Sequence, residues 1–404
     1  MRVPDGWNTL PISDILERVS EPVFPKPEEN YYQIGIRSHG KGLFHKEAVT
    51  GEALGDKRVF RVHPDCFIVN IVFAWEQAVA KTSSNEIGMI ASHRFPMFRP
   101  KNNQCDIHYL TYFFKTPKGK YLLELASPGG AGRNKTLGQN EFSLLKLTLP
   151  PINEQQKITQ ILSTWDKAID KLEALIAAKQ KRKKALMQQL LTGNKRYFGF
   201  NEAWVQFKLG EIFSKISNGL TYDTNAEEGL PVTRIETTTN GKINYEKVGW
   251  APNNDNTKRF TLCYGDILYS HINSLEHIGR VAFYRAEKPL YHGMNLLLLR
   301  PNEKVVPELI FHILNSMIGK KYARNYAKSA VNQASISTAD IKSFKIKIPT
   351  LKEQLKIADV ITAADNEITI HQNQLAALKQ QKKALMQQLL TGKKRVNIDL
   401  KVVA

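Results

Sequence analysis

At 404 residues the chain is too long for one typical core, so two or more domains are expected. Its 42% hydrophobic content and modest glycine and proline counts exclude a disordered chain, and Cys66, Cys105 and Cys263, isolated and without CxxC or CxxH spacing, exclude a disulfide framework or zinc site. A net charge of +19 and a pI near 9.6 draw the chain to polyanions, nucleic acid first among them; the rival reading is a charge that serves solubility alone. No apolar run suits a signal peptide or reaches membrane-spanning length, so a cytoplasmic protein with no membrane partner is expected.

A first variable block opens at Trp7 with WNTLPISDILERVS. It continues through IGIRSHGKG, which carries Arg37, and through Val62-His-Pro-Asp65-Cys-Phe-Ile68, which reads as a turn entering a strand. Gly129-Gly-Ala-Gly-Arg-Asn-Lys-Thr136 approaches a phosphate loop, but Asn134 stands where glycine is needed and an alternating strand follows instead of a helix. A basic loop facing DNA or a plain surface turn fits that segment better. Leu145, Leu147 and Leu149 alternate with polar residues and predict a closing strand.

Pro150–Arg196 then predicts one long helix from Glu154 to Thr192, capped by Gly193. Ile158, Leu162, Trp165, Ile169, Leu172, Ile176, Lys179, Lys183, Leu186 and Leu190 alternate spacings of four and three, the period of a coiled-coil seam.

A second variable block begins at Trp204 with WVQFKLGEIFSKIS, in which Phe207, Leu209, Ile212 and Ile216 match Leu10, Ile12, Ile15 and Val19. At the same offset Arg234 of PVTRIETTTNGK meets Arg37. Separately, Cys263-Tyr-Gly-Asp266-Ile-Leu268 resembles the earlier turn, with Asp266 set against Asp65. Phe344, Ile346 and Ile348 repeat the closing strand. Pro349–Arg395 then repeats Pro150–Arg196 without a gap, and Lys183–Arg196 and Lys382–Arg395 differ only at Asn194 against Lys393. Its seam is Ile357, Ile361, Ala364, Ile368, His371, Leu375, Leu378, Lys382, Leu385 and Leu389, with Gly392 as the cap.

Two similar halves follow, each a variable block and a repeated helix. The expected fold is α+β: two mixed α/β recognition domains (1–149 and 197–348) separated by two long helical spacers (150–196 and 349–395) that form an antiparallel coiled coil with a pseudo-two-fold repeat, then a tail (396–404). Trp165 and Leu172 are bulky where Ala364 and His371 are small or polar, which suits a pair of unlike helices. A compact block of this size spans neighbouring helix ends more easily than the length of a rod, which favours the antiparallel arrangement.

No active site is expected. Asp340-Ile-Lys342 has the form of the end of a nuclease PD…(D/E)xK site but lacks a well-spaced PD partner, and no GxSxG, HExxH, NPPY or DPPY motif occurs. His39 with His45, and His271 with His277, lack ligand partners at metal spacing, so no metal is expected.

The elements LTLPPINEQQKI and IKIPTLKEQLKI, the twin KKALMQQLLTG endings and the run Gly265–Tyr284 together resemble the specificity subunit of type I restriction–modification enzymes, over essentially the whole chain. The resemblance implies a non-catalytic reader of double-stranded DNA whose two domains bind a bipartite, asymmetric target and whose helices set the gap. It further implies two methyltransferase subunits, which bind S-adenosylmethionine and methylate adenine, and restriction/translocase subunits that use ATP and Mg; no cofactor is expected in this chain. The rival class is a coiled-coil scaffold for protein partners without DNA readout.

For a DNA reader, Lys and Arg suit phosphates, and Arg, Asn, Gln, Ser and Thr suit base edges. The divergent turns and strand ends supply Arg37, Ser38, His39, Lys41, Arg94, Arg133, Asn134 and Lys135 in the first domain, and Tyr222, Arg234, Glu236, Ser270, His271, Asn273, Arg280, Asn332 and Gln333 in the second. The basic runs Lys179–Lys184 and Lys379–Lys383 admit three roles: spacer DNA contact, methyltransferase contact, or a solvated helix face.

Overall fold

The computed structural model describes residues 3–129, 135–226, 228–239, 241–330 and 333–398. These form two compact units, residues 1–172 with 374–404 (unit 1) and residues 173–373 (unit 2). Two helices of 39 residues, Ile152–Leu190 and Leu351–Leu389, are each divided between the units; at about 1.5 Å per residue each is roughly 58 Å long. Each unit therefore holds the start of one spacer helix and the end of the other.

Both units carry one scaffold. In unit 1 an antiparallel sheet runs Val79–Lys81, Phe67–Val69, Met97–Pro100, Leu16–Val19. Unit 2 repeats that order with Val281–Phe283, Ile267–Tyr269, Leu297–Pro301 and Phe213–Asn218. A strand pair stands beside each sheet, Asn8–Pro11 with Lys146–Leu149 and Val205–Lys208 with Lys345–Ile348. The closing strands alternate as their sequences predict: Leu147, Leu149, Ile346 and Ile348 are buried, while Lys146, Lys345 and Lys347 are exposed. Helix Ile107–Phe114 packs on the first sheet with Pro117–Leu125 against it, and Pro307–Asn315 and Met317–Tyr326 occupy the matching places. Asp106 starts the first of these by accepting the Tyr109 amide at 2.7 Å, and the Phe67, Phe114 and Phe142 rings fill the space beneath it at centroid distances of 5.3 to 6.3 Å. Outside the scaffold the units differ. Unit 1 adds a three-stranded sheet (Ile90–Ser92, Val59–Arg61, Pro22–Val23), whereas unit 2 adds the ribbon Leu230–Thr233 with Val248–Ala251 and the set Ile272–Asn273, Gln333–Ser335, Lys328–Ala330.

Within each unit the start of one spacer helix packs on the end of the other, so the helices run antiparallel. Ile158 and Leu162 share the unit 1 core with Leu389 and Leu390, with Leu385 packed against it. Leu190 and Leu191 share the unit 2 core with Ile357 and Ile361, with Leu186 against it. Ile169, Ile176 and Ile368 are buried, and Trp165, Leu172, Leu375 and Leu378 are half-buried. The lysines that interrupt the seam make ion pairs at matching places: Lys183 reaches Asp365 at 2.5 Å in unit 2, and Lys382 reaches Asp166 in unit 1.

The repeated Glu-Gln pair joins three parts of each unit. Gln155 donates to the carbonyls of Gln104 (3.0 Å) and Pro150 (2.9 Å) and accepts the Asp106 amide (2.9 Å), which ties the helix start to the loop before Ile107–Phe114. Gln354 repeats this with Lys304, Pro349 and Val306. The preceding glutamates, both fully buried, take a two-pronged arginine contact from the end of the other repeat: Arg395 on Glu154 at 2.6 and 2.7 Å, Arg196 on Glu353 at 2.9 and 2.6 Å.

Gly193 (φ 72°) and Gly392 (φ 69°) end the spacer helices in the left-handed conformation. A Cβ at Gly392 would lie 2.5 Å from Pro4 Cγ, whereas one at Gly193 would meet the Trp204 ring at 3.4 Å or more. Gly193→Ala should therefore lower stability by about 1 kcal/mol, and Gly392→Ala by more, in chemical denaturation.

One equivalence drawn from sequence is corrected. Asp65 (φ 55°) occupies the place of Gly265 (φ 90°), not that of Asp266: the Asp65 and Gly265 amides donate to the carbonyls of Thr82 and Tyr284 at matching points of the sheet. Cys66 stands where Asp266 stands. Asp266 is fully buried and grips Arg300 through two 2.7 Å hydrogen bonds, while at Cys66 burial pushes the thiol up to about 11 and Thr82 accepts the amide. Aspartate tolerates the left-handed turn that glycine otherwise supplies, so Asp65 can stand at the Gly265 place.

Candidate nucleic-acid interface

In unit 1 the strands Ile34–Ile36 and Leu43–His45 form a hairpin whose tip carries Arg37, Ser38, His39 and Lys41. Arg37 is exposed but fixed in direction: its guanidinium lies over the Phe44 ring at 4.8 Å and donates to the Leu43 carbonyl at 3.2 Å. His39 adopts φ 60°, and its amide and that of Gly40 donate to the carbonyls of Glu76 and Gln77. The tip is thus seated on the turn at 73–77. Lys135 reaches the same turn, its ammonium 5.7 Å from the Trp75 ring centre. The chain just before this turn also binds the segments of Arg94 and Leu137, through Ile71 N–H to the Arg94 carbonyl (3.0 Å) and Leu137 N–H to the Ile71 carbonyl (2.8 Å). One loop system therefore gathers Arg37, Ser38, His39, Lys41, Arg94 and Lys135. Arg133 and Asn134 lie outside the described residues.

Unit 2 presents two groups. Beside Leu230–Thr233, Arg234 is paired through both nitrogens with Glu236 at 2.9 and 3.2 Å, and Tyr222 accepts from Asn295 at 2.7 Å. Burial works against the Glu236 charge, but backbone and Arg234 hydrogen bonds outweigh it and hold the carboxyl below its usual range. The second group lies where Ile272–Asn273 pairs with Gln333–Ser335. Asn273 donates to Ser270 at 3.0 Å, the Ser270 amide donates to the Arg280 carbonyl at 2.8 Å, and Gln333 and Arg280 are exposed. Ser270 and His271 are buried, and burial lowers the His271 imidazole below its usual range, so this histidine is neutral at pH 7. Ser270 therefore supports Asn273 and the Arg280 backbone, while the buried His271 accepts the Ile336 amide through its carbonyl. Asn332 lies outside the described residues.

Arg37 and Arg234 do not leave their strands at the same point. A parallel bridge joins Gln33 to Ile90 in unit 1 and Val232 to Tyr291 in unit 2, and Arg37 lies farther along the chain from its bridge than Arg234 does. The scaffold is shared; the readout loops are not.

Comparison with known proteins follows this division. A profile of the type I restriction modification DNA specificity domain matches residues 4–179 and again residues 201–380. The chain belongs to the type I restriction–modification specificity subunits. The MjaVIII specificity subunit of Methanocaldococcus jannaschii is 26% identical over 98% of this chain and 95% of its own. A subunit assigned to the MjaX enzyme of the same organism is 42% identical, but over 47% of this chain and only 46% of that one, so the match spans less than half of either. The crystal structure of an S subunit from M. genitalium shares the fold at a TM-score of 0.62 and 16% identity, covering 96% of this chain and 98% of that one.

As a specificity subunit the chain is a DNA-binding protein of a restriction system. Among its described residues no helix is long and apolar enough to cross a membrane, and no group of three or more His, Cys, Asp or Glu could hold a metal. Sequence reasoning missed the two Arg–Glu cross-links and the partners of the seam lysines. The signal was present, since Glu154/Glu353, Arg196/Arg395, Asp166/Asp365 and Lys183/Lys382 all recur at the repeat offset.

Proposed function

We propose that this specificity subunit reads a bipartite, asymmetric sequence in double-stranded DNA, one part with each recognition domain, and carries no active site of its own. The observation that supports this most is one sheet-and-helix scaffold built twice, with the same strand order and different polar loops. Unit 1 offers a hairpin tip with a stacked arginine, suited to a guanine edge. Unit 2 offers an Arg234–Glu236 pair, whose carboxylate can accept from cytosine while the guanidinium donates to a neighbouring base, and the Asn273–Arg280–Gln333 group. The paired helices set the gap between the two sites. The matching helix ends dock two adenine methyltransferase subunits, and restriction/translocase subunits join them; S-adenosylmethionine, ATP and Mg belong to these partners.

Methylome sequencing of cells that express the complete system tests the reading. Arg37→Ala should abolish or relax one half of the modified sequence and leave the other intact, at a cost of about 1–3 kcal/mol if Arg37 reads a base. Equal loss at both halves would refute independent domains. A protein scaffold without DNA readout predicts duplex binding that is absent or insensitive to salt, whereas phosphate contacts make it fall steeply.

A further inference from the structure

The junction between sheet domain and spacer helices occurs twice, and the residue directly before the second helix cap differs between the units. In unit 2, Lys183 is neutralised by Asp365, and Asn315 ends the helix Pro307–Asn315 directly before the Ser316 cap. In unit 1, Lys382 is neutralised by Asp166, which also accepts the Tyr112 hydroxyl at 2.5 Å, but Lys115 takes the place of Asn315, directly before the Thr116 cap. Lys115 is half-buried, and among the described residues its ammonium makes no direct hydrogen bond or ion pair, its charged neighbours being Lys382 and Asp166. Burial and the neighbouring Lys382 charge lower its proton affinity, and Asp166, which Lys382 already binds, offsets them only in part. It lines an open cleft of about 280 Å³ together with Lys81, His108, Glu86 and Asp166, and Gly42 and Leu43 form one side. The other charges there are satisfied. Lys81 pairs with Asp65 at 2.8 Å and lies 2.5 Å from His108 Nε2, and Glu86 is held by His45 at 2.8 Å and by Ser83. A second ammonium that shares one carboxylate with Lys382 and has no hydrogen bond of its own favours an incoming anion. The position is also telling. A Cβ at Gly40 would come within 2.8 Å of Lys115 Cγ, so the hairpin tip carrying Arg37, Ser38, His39 and Lys41 rests directly on this side chain.

We propose that the unit 1 cleft receives one phosphate group, held by Lys115 with Lys81 beside it, and that this phosphate belongs to the DNA backbone next to the base-reading hairpin tip. The assignment rests on the DNA-reading function and names the group that would seat that tip on the duplex; unit 2 has asparagine, not lysine, at this place. The test uses the full chain with Lys115→Asn, which gives unit 1 the unit 2 residue, and Lys115→Arg, which keeps the charge. In duplex titrations across a range of salt concentrations, Lys115→Asn should shrink the slope of log K against log[salt] by about 0.9 and weaken binding equally on unrelated sequences, while Lys115→Arg keeps the slope. Inorganic phosphate at matched ionic strength should raise the melting temperature of the unaltered chain and not that of Lys115→Asn. An unchanged slope in Lys115→Asn overturns the backbone assignment, and phosphate stabilisation accompanied by that unchanged slope makes the cleft a site for a free anion. If the unaltered chain binds duplex without salt dependence, the DNA-reading function itself fails and this assignment falls with it.

Discussion

At pH 5 unit 2 unfolds more readily than at pH 7.5, and unit 1 loses less. The main cause is a pair of buried imidazoles, with His271 lowered by burial in the same direction. Burial pushes His292 and His312 from 6.5 down to about 4. His292 Nε2 contacts the Leu296 carbonyl at 2.9 Å and His312 Nε2 faces the Thr362 hydroxyl at 3.3 Å, while both Nδ1 atoms are buried without a hydrogen-bond partner among the described residues. Protonation would place an unsatisfied N–H and a charge inside the core. The unfolded chain takes up these protons near pH 6.5 and the folded unit only near pH 4, so stability is complete above 6.5, falls between 6.5 and 4, and falls no further through these groups below that. At pH 5 each histidine has removed about 2 kcal/mol. In unit 1 the place of His312 is taken by Tyr112, which does not titrate in this range, and His108 is pushed the same way, by burial and Lys81. Glu86 is lowered too, with His45 and Ser83 outweighing its burial, but that contribution is lost only as pH falls below the ordinary carboxyl value of 4.5. Hydrogen exchange on peptides from 305–316 and 105–116 separates the two units. His312→Leu should make unit 2 less sensitive to pH, and equal acid loss in both units would sink the explanation.

Much of the framework was legible because it rests on periodicity and duplication. A heptad seam must be buried, and a second copy in the same register offers a partner. The closing strands announced themselves by alternation, and the helix ends by glycine. What was not legible depends on pairing across long stretches of sequence. Lys183 and Lys382 interrupt an apolar seam, and periodicity alone does not name Asp365 or Asp166 as their partners. The Asp65–Asp266 match failed because identity tracked the side chain while the backbone equivalence tracks the left-handed turn residue. Ser270 and His271 look like readout residues in a polar stretch, yet the sheet buries both. Lys115 sits in an ordinary helix-ending sequence, and only comparison with Asn315 in the folded chain exposes it as a second lysine beside the single Asp166 carboxylate.

The Arg395–Glu154 cross-link carries the other large effect. Glu154 is fully buried, so Arg395→Ala strands a carboxylate away from water. Breaking a buried pair from one side typically costs about 3–5 kcal/mol; because Arg395 is 41% exposed, solvent already reaches the pair and about 2–3 kcal/mol is expected here. The arginine also donates to the Asp5 carbonyl at 2.7 Å and lies 5.9 Å from the Trp7 ring centre, so its loss releases the N-terminal segment from the helix end. Glu154→Gln should cost less, because the guanidinium left behind keeps water and those two contacts. Replacing both partners with leucine removes the stranded charge and should recover part of the loss. Denaturant unfolding of the three variants separates the contributions: if Glu154→Gln costs as much as Arg395→Ala, the energy lies in the pair itself, and if the double leucine variant is the least stable, the stranded-charge explanation fails. Arg196→Ala acts in the same direction in unit 2, on Glu353. The two cross-links join unlike ends of the same repeat, so each unit is held by residues that neither copy of the repeat could supply to itself.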